Sequence, residues 1–394
     1  MSSAELIVGV VGAGAMGSGI AQVAASAGHR VVLGDVNPAA VGKARASIAK
    51  ALAREVEKGR LEAAGVPDLL ARIVEAGDLS RDYSPFAECG VVIEAVLEDL
   101  AVKRRLFGAL EAVVRDDCIL ATNTSSLSVT AIAGGCRRAE RVVGIHFFNP
   151  ATVMPLVEIV PGLATTPAVL EQATSLVRNW KKTTVVASDT PGFIVNRIAR
   201  PFYSESLRQL DEGIADIATI DWAMRDLGGF RMGPFELMDF IGNDVNFAVT
   251  RSVFDAFFHD ARYRPSVIQR RLVDAGWLGR KSGRGFYDYG AGAEQPQALR
   301  DEALGRSIVD RTVAMLVNAA VDALHMKVAS SADIELAMTR GVNYPRGLLE
   351  WGDAIGATEI LSRLDTLQAA YGEERYRPSP LLRRRVRDGV RLLS

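Results

Sequence analysis

The sequence predicts an α/β domain on a mostly parallel sheet, residues 1–188, followed by two tandem all-α helical domains, 189–290 and 291–394. Three observations carry this prediction. An apolar run at 6–11 (LIVGVV) feeds directly into a glycine-rich turn and a helix pattern, as a buried parallel strand does. Strand-like runs recur until about residue 187 and stop at Asp189-Thr190-Pro191-Gly192, a breaker cluster suited to a domain junction. Beyond it amphipathic helices dominate, and they repeat. A shift of 114 residues aligns 220–242 with 334–356, eight of 23 positions being identical, among them Ala223/Ala337, Gly233/Gly347, Glu236/Glu350, Asp239/Asp353 and Gly242/Gly356. Two copies are too few for a solenoid, so the pattern is a duplication.

The elements follow in order. Gly12-Ala13-Gly14-Ala15-Met16-Gly17 succeeds the first strand, then an Ala-rich helix pattern at 18–27 and a second strand at 30–33 that ends near Asp35. Strand, glycine turn, helix, strand and acid in that order make a dinucleotide fingerprint, and so a Rossmann-type domain. Gly12 permits the tight turn, Gly14 lets the backbone approach a pyrophosphate, and Gly17 permits close helix–strand packing, with Met16 inside the same cofactor turn. Asp35 lies 23 residues after Gly12, where a carboxylate accepts from a ribose 2′-OH and repels a 2′-phosphate, which favours NAD over NADP. Residues 38–76 read as a helical insertion. On it Lys50, Arg54 and Lys58 fall at i, i+4 and i+8 along one face, either to meet a phosphorylated substrate or simply to be solvated. Runs at 90–96 (GVVIEAV) and 118–121, the latter followed by TNTSS, read as later strands. They end in Glu94, Asn123 and Ser125, where ligands gather outside the carboxyl ends of such a sheet. Ser125 or Ser126 serves equally well as a cap for the next helix.

Residues 144–160, GIHFFNPATVMPLVEIV, read as two short strands around a loop opened by Asn149-Pro150. If they run antiparallel about Thr152, His146 stands opposite Glu158, with Cβ atoms about 4.5–5.5 Å apart. A carboxylate holding an imidazole is the base-plus-orienter arrangement of acid–base catalysis. A histidine beside two phenylalanines, here Phe147 and Phe148, is however more often a buried core residue, and a strand carboxylate is often just solvated; the rest of the chain favours the catalytic reading. A helix at 166–182 and a last strand at 183–187 complete the domain.

Composition narrows the function classes. At 394 residues, with 48% hydrophobic and 24% charged side chains, the chain has the make-up of a globular protein with a large core. Net charge is −1 and no basic block forms a nucleic-acid footprint; the Arg-rich end (383–391) is interleaved with Leu and Val and reads as a solvated helix face. Three cysteines and four scattered histidines show no metal or redox spacing, so no metal is expected. MSSAE runs into the first strand without a leader pattern, and no apolar run is long enough to span a bilayer. These features predict a reduced, cytoplasmic enzyme or binding protein without membrane or nucleic-acid partners.

Together GAGAMG, VVIEAVLED, ATNTSSLSV, GIHFFNPATVMPLVE, DTPGFIVNR, GGFRMGPFELMDFIG and GRKSGRGFYDY resemble the L-3-hydroxyacyl-CoA dehydrogenase family, in its order and spacing, from residue 6 to about 289. The resemblance implies that His146 is the general base for the substrate 3-hydroxyl and that Glu158 fixes and stabilises its imidazole. Ser125 and Asn196 would hydrogen-bond the reacting oxygens, and Asn149 would place the nicotinamide end of NAD. Asp35, Glu94, Lys103 and Lys281 would touch the cofactor, while Lys50, Arg54 and Lys58, with Ser125, would touch the acyl-CoA. The family often has Lys just before the LVE strand; Pro155 stands here instead, which puts the loop geometry in doubt.

The copies are not equivalent. Asn196 aligns with Asp310, the tail containing Lys281 has no partner, and no His–Glu strand pair precedes the second copy. One active site per chain is therefore expected, with the copies packed as an intramolecular pseudo-dimer through an apolar face, and homo-oligomers remain open. The FRMGPFELMDFIG and NDVNFAVTRSVF segments resemble the duplicated bacterial subfamily associated with phenylacetate breakdown. That implies 3-hydroxyadipyl-CoA as substrate, whose far carboxylate wants a cation such as Arg200 or Arg231; 3-hydroxybutyryl-CoA stands beside it. Two other readings are a sugar-acid (gulonate-type) dehydrogenase of the same superfamily and a non-enzymatic, crystallin-like protein.

Overall fold

The apolar run that opens the chain becomes β1 (Ile7–Val11), four of its five residues buried, near the middle of an eight-stranded sheet. The computed structural model describes residues 6–394; the MSSAE segment, expected to run into the first strand without a leader pattern, lies outside the described residues. In chain order there follow α1 (Ala15–Ser26), β2 (Arg30–Asp35), α2 (Pro38–Glu57), α3 (Val66–Ala71), β3 (Ile73–Asp78), β4 (Val91–Glu94) and α4 (Leu100–Glu111). Then come β5 (Ile119–Thr122), α5 (Val129–Ala133), β6 (Val142–Phe147), β7 (Leu156–Pro161), α6 (Pro167–Asn179) and β8 (Thr183–Val186). The strand order is β3-β2-β1-β4-β5-β6-β7-β8, and all neighbours are parallel except β6 and β7. The order reverses between β1 and β4, so the crevice outside their carboxyl ends is where a doubly wound sheet takes its ligand.

The expected helical insertion over 38–76 does not stay helical. α2 buries Val41, Ala44, Ile48 and Leu52, a helix-spaced stripe, but the chain turns to strand at Ile73 and pairs with β2 as the sheet edge. In β3 only Ile73 and Ala76 are buried, so a half-exposed strand with Glu and Ala in it has the composition of a helix. The core under the sheet joins Val8, Val10, Val31, Leu33, Ile93, Ile145 and Ile159 to Ile20, Ile48 and Val177 from helices.

This unit ends at Thr190, and a second begins at Pro191. Its first copy holds α7 (Val195–Ile198), α8 (Arg200–Asp211), α9 (Ile217–Trp222), α10 (Pro234–Ile241), α11 (Asn243–Ala256) and α12 (Val267–Asp274). Its second holds α13 (Glu302–His325), α14 (Ser331–Leu336), α15 (Leu348–Ile355), α16 (Ala357–Tyr371) and α17 (Pro380–Asp388). The duplication extends to fine geometry. π-helical turns occur at Ala223–Leu227 and Ala337–Gly341, and Gly242 and Gly356 both have φ of 104°. Asp221 accepts from the Phe235 and Glu236 N–H groups, and Glu335 from those of Leu349 and Glu350.

Two expectations about the copies need correction. The Lys281 tail does have a backbone counterpart. Asp239 accepts from Phe286 and Tyr287 N–H, and Asp353 accepts from Leu392 and Leu393 N–H, so the last residues take the same place without the same sequence. Nor is the face between the copies apolar throughout. Phe202, Phe230, Tyr344 and Trp351 form an aromatic cluster across it. Beside them fully buried Glu205 meets Arg311 at 3.1 Å and Arg375 at 2.8 Å, Arg208 meets Glu373 at 2.6 Å, and Asp322 meets Arg197 at 3.2 Å and Arg262 at 2.9 Å. Among the described residues no helix is long and apolar enough to cross a membrane, and no His/Cys/Asp/Glu cluster could hold a metal ion.

Candidate active site

The glycine turn sits at the β1–β4 switch. Gly12 has φ of 103°, and a Cβ there would lie 2.4 Å from the Ala95 carbonyl oxygen, so no side chain fits. At Gly17 a Cβ would fall 1.7 Å from the Gly12 oxygen, which is the close helix–strand packing the spacing predicts. Gly14 differs: a Cβ would meet nothing within 4 Å, so the chain's own packing does not require glycine there. It is the N-cap of α1 and supplies no side-chain cap, which leaves the first-turn N–H groups to an external acceptor. Met16 is half-buried on the core side of this turn. Asp35, at the end of β2, accepts from Ala13 N–H at 2.8 Å and Asn37 N–H at 2.9 Å, so its carboxylate is fixed beside the turn with lone pairs to spare. A bare helix N-terminus flanked by an oriented carboxylate fits a dinucleotide whose ribose carries a free 2′-OH.

Along the same edge a buried network supports the strand ends. Glu94 Oε1 accepts from Val96 N–H at 2.7 Å and from Lys103 Nζ at 2.6 Å, while Oε2 accepts from Thr122 Oγ1 at 2.7 Å. Glu94 and Lys103 thus satisfy one another inside the unit, both almost fully buried. Lys103 also meets Glu98 at 3.1 Å. Glu98 escapes the sequence reading, yet it organises the loop carrying Ser125. Its Oε1 accepts from Thr124 Oγ1 at 2.5 Å, Ser125 N–H at 3.0 Å and Ser126 N–H at 3.1 Å. Burial opposes its ionisation, but Lys103 and the Thr124 and Ser126 hydroxyls outweigh that and hold its carboxyl below the usual range. Only the run of LED after the strand could have signalled it. The helix cap weighed for Ser125 or Ser126 belongs to Ser128, whose Oγ accepts from Ala131 N–H at 3.1 Å. Asp189 ties down Ser128, Val129 and Thr130 there. Asn123 Oδ1 accepts from Phe147 N–H at 2.8 Å, bracing β5 against the strand that carries His146.

β6 and β7 pair antiparallel with His146 directly across from Glu158, and Nδ1 lies 2.6 Å from Glu158 Oε2. The histidine is 5% exposed and the glutamate fully buried. The Phe148 ring, its centroid 4.6 Å from the imidazole centroid, packs against it. Because an ionised carboxylate only accepts, Nδ1 carries the hydrogen, and the proton-accepting nitrogen of the neutral ring is Nε2. Asn149 is exposed on the loop that follows. That loop, which runs to Pro155, is held from elsewhere. Lys182 Nζ donates to the carbonyls of Ala151 at 2.6 Å and Met154 at 2.8 Å, and burial lowers its pKa.

Lys50, Arg54 and Lys58 lie exposed along or just past α2, with Lys58 also meeting Glu55 at 3.4 Å. Asn196 and Lys281 belong to the second unit. Asn196 is half-buried in α7, and Lys281 donates to Asp244 at 2.7 Å.

Comparison with known proteins now bears on this geometry. Residues 7–190 match the model of the 3-hydroxyacyl-CoA dehydrogenase NAD binding domain. Residues 192–289 and again 308–391 match that of the 3-hydroxyacyl-CoA dehydrogenase C-terminal domain. A 3-hydroxyadipyl-CoA dehydrogenase of Escherichia coli K12 is 41% identical over 96% of this chain and 97% of its own length. A 3-hydroxybutyryl-CoA dehydrogenase of Bradyrhizobium diazoefficiens is 42% identical over 72% of this chain and 94% of its own. The crystal structure of a 3-hydroxybutyryl-CoA dehydrogenase from Escherichia coli K12 superposes with a TM-score of 0.91 at 40% identity, covering 97% of this chain and 98% of that one.

Proposed function

The chain belongs to the 3-hydroxyacyl-CoA dehydrogenase family and is an NAD-dependent oxidoreductase, and on that premise we propose that it oxidises (S)-3-hydroxyacyl-CoA to 3-oxoacyl-CoA with His146 as base and Glu158 as its orienter. The observation that carries this reading is the buried 2.6 Å bond between them. It sits at the sheet edge that also bears the glycine turn, Glu94, Asn123 and Ser125. Nε2 takes the proton from the 3-hydroxyl, and the charge that develops on the ring is held against a carboxylate where water screens little. NAD, when bound, supplies the acceptor for the hydride that leaves C3. Ser125, on the loop fixed by Glu98, offers its hydroxyl to the reacting oxygen, and Asn196 is assigned the same task from α7. Asn149 places the nicotinamide end, and Lys50, Arg54 and Lys58 answer the CoA phosphates. The relatives' names support either a short acyl chain or 3-hydroxyadipyl-CoA.

The test follows NADH consumption with acetoacetyl-CoA and with 3-oxoadipyl-CoA, wild type beside His146→Gln. Turnover of at least one ester by wild type, cut by about 10²–10⁴ in the variant, is expected. Equal rates for the two proteins overturn the base assignment, and no turnover of either ester overturns the substrate class.

A further inference from the structure

Buried arginines in the second unit have carboxylate partners, with one exception. Arg197 has Asp322, Arg311 has Glu205 and Glu212, and Arg375 has Glu205. Arg200, the first residue of α8, is 5% exposed and among the described residues meets no carboxylate. Its Nη1 donates to Thr250 Oγ1 at 3.0 Å, and its guanidinium stacks 5.0 Å from the Tyr203 ring centroid. Its Nε has no partner, nor has the buried hydroxyl of Tyr344, which reaches this spot from the second copy. Burial lowers the pKa of this guanidinium. A desolvated charge with unspent donors is costly unless something anionic answers it.

We propose that Arg200, with the Tyr344 hydroxyl as a second donor, binds the carboxylate at the far end of a dicarboxylyl-CoA substrate and so sets the acyl preference of the enzyme. The proposal rests on the reaction proposed above and on Asn196 as the residue at the 3-oxygen. Arg200 follows Asn196 by four residues on nearly continuous helix, with Ala199 in right-handed helical geometry, so the two share a face about 6 Å apart along the axis. In an adipyl chain the terminal carboxylate carbon lies three C–C bonds of about 1.5 Å beyond C3, roughly 4 Å when extended, so the chain covers most of the about 6 Å step along the helix and the long Arg200 side chain covers the rest. A guanidinium takes a carboxylate through two parallel N–H bonds, a fork that Nε and Nη of Arg200 can present. The duplication thereby gains a chemical reason, since the second copy supplies a donor to the acyl end.

The test compares kcat/KM for 3-oxoadipyl-CoA with that for 3-oxohexanoyl-CoA, which has the same chain length and ends in methyl. Wild type is expected to prefer the dicarboxylyl ester tenfold or more. Arg200→Met should lower that ratio at least 30-fold, as truncating one side of a buried charge pair does. Because Arg200→Met removes a buried group, Tyr344→Phe, which deletes only a hydroxyl, serves as the second variant; it should lower the ratio about tenfold with Tm unchanged. A wild-type ratio near one, or an unchanged ratio in both variants, overturns the inference and leaves the reaction standing. A wild type that reduces neither ester overturns the reaction itself and the inference with it.

Discussion

At the scale of the residue, the orienting carboxylate is as open to test as the base. Glu158→Gln keeps the shape of the side chain but removes the charge that answers an imidazolium. We expect kcat to fall about 10²-fold or more while NADH affinity, read by fluorescence titration, stays within about twofold. A variant with wild-type kcat shows that Glu158 only packs. This pair was legible in the sequence because antiparallel register is symmetrical arithmetic about a loop, and a one-residue slip would have turned both side chains to the other face. Glu98 and Lys182 were not legible. Glu98 acts on backbone N–H groups 27 and 28 residues away, and Lys182 on carbonyls 28 and 31 residues away, so beyond the LED run after β4 neither leaves a local pattern. Glu94 and Lys103 were found as polar residues at a strand end. That they spend their charges largely on each other depends on a depth that sequence does not show.

At the scale of the element, the glycine turn separates two demands that the fingerprint merges. Gly17→Ala forces a Cβ into the Gly12 oxygen and should lower Tm, whereas Gly14→Ala meets no protein atom at a φ of −71° and should leave Tm within about a degree. The latter should still weaken NAD binding, because the methyl stands where the pyrophosphate approaches. A Gly14→Ala protein with wild-type NAD affinity would remove the phosphates from the α1 terminus. The α8–α13 seam makes a pH prediction. Burial opposes ionisation of Glu212, yet hydrogen bonds from Arg311, Tyr371 and Arg208 outweigh it and hold its pKa at about 2, below the ordinary glutamate value of 4.5. With the folded pKa depressed, the unfolded state binds more protons between those values. The stability Glu212 contributes is therefore complete above about 4.5 and is lost as pH falls toward 2. Urea midpoints measured at pH 5 and pH 3 should differ less for Glu212→Gln than for wild type; equal differences exclude Glu212 as a source of acid lability. Most elements were readable from period and punctuation. β3 was not, because an edge strand with one face exposed carries a glutamate and an alanine that suit a helix, and only its pairing with β2 decides the matter.

At the scale of the whole molecule, the duplication makes the second unit complementary to itself, and its charges say how far. Under the repeat, Arg197 corresponds to Arg311 and Arg262 to Arg375, so both copies present the arginine pair. Only the first copy presents the glutamate, since Glu205 corresponds to Ala319, and Arg208 stands where the second copy has Asp322. Removing residues from about 292 onward uncovers Phe202, Tyr203, Phe230 and Glu205, an aromatic patch with a buried acid that has lost Arg311 and Arg375. Two such fragments facing each other regain arginines for Glu205, from the partner's 197 and 262 positions, which favours a dimer over open-ended aggregation. Each fragment, however, also sets Arg208 where Asp322 received Arg197 and Arg262 in the intact chain, so the dimer should be weak and weaken further at low salt. Sedimentation velocity of the 1–291 fragment should show a monomer–dimer equilibrium, and Arg208→Asp in that fragment should tighten it about tenfold or more by restoring the opposite charge. A fragment that remains monomeric with the full chain's urea midpoint would mean that the copies do not stabilise one another. A dimer that Arg208→Asp weakens would mean that the two copies did not diverge in charge to prefer each other over themselves.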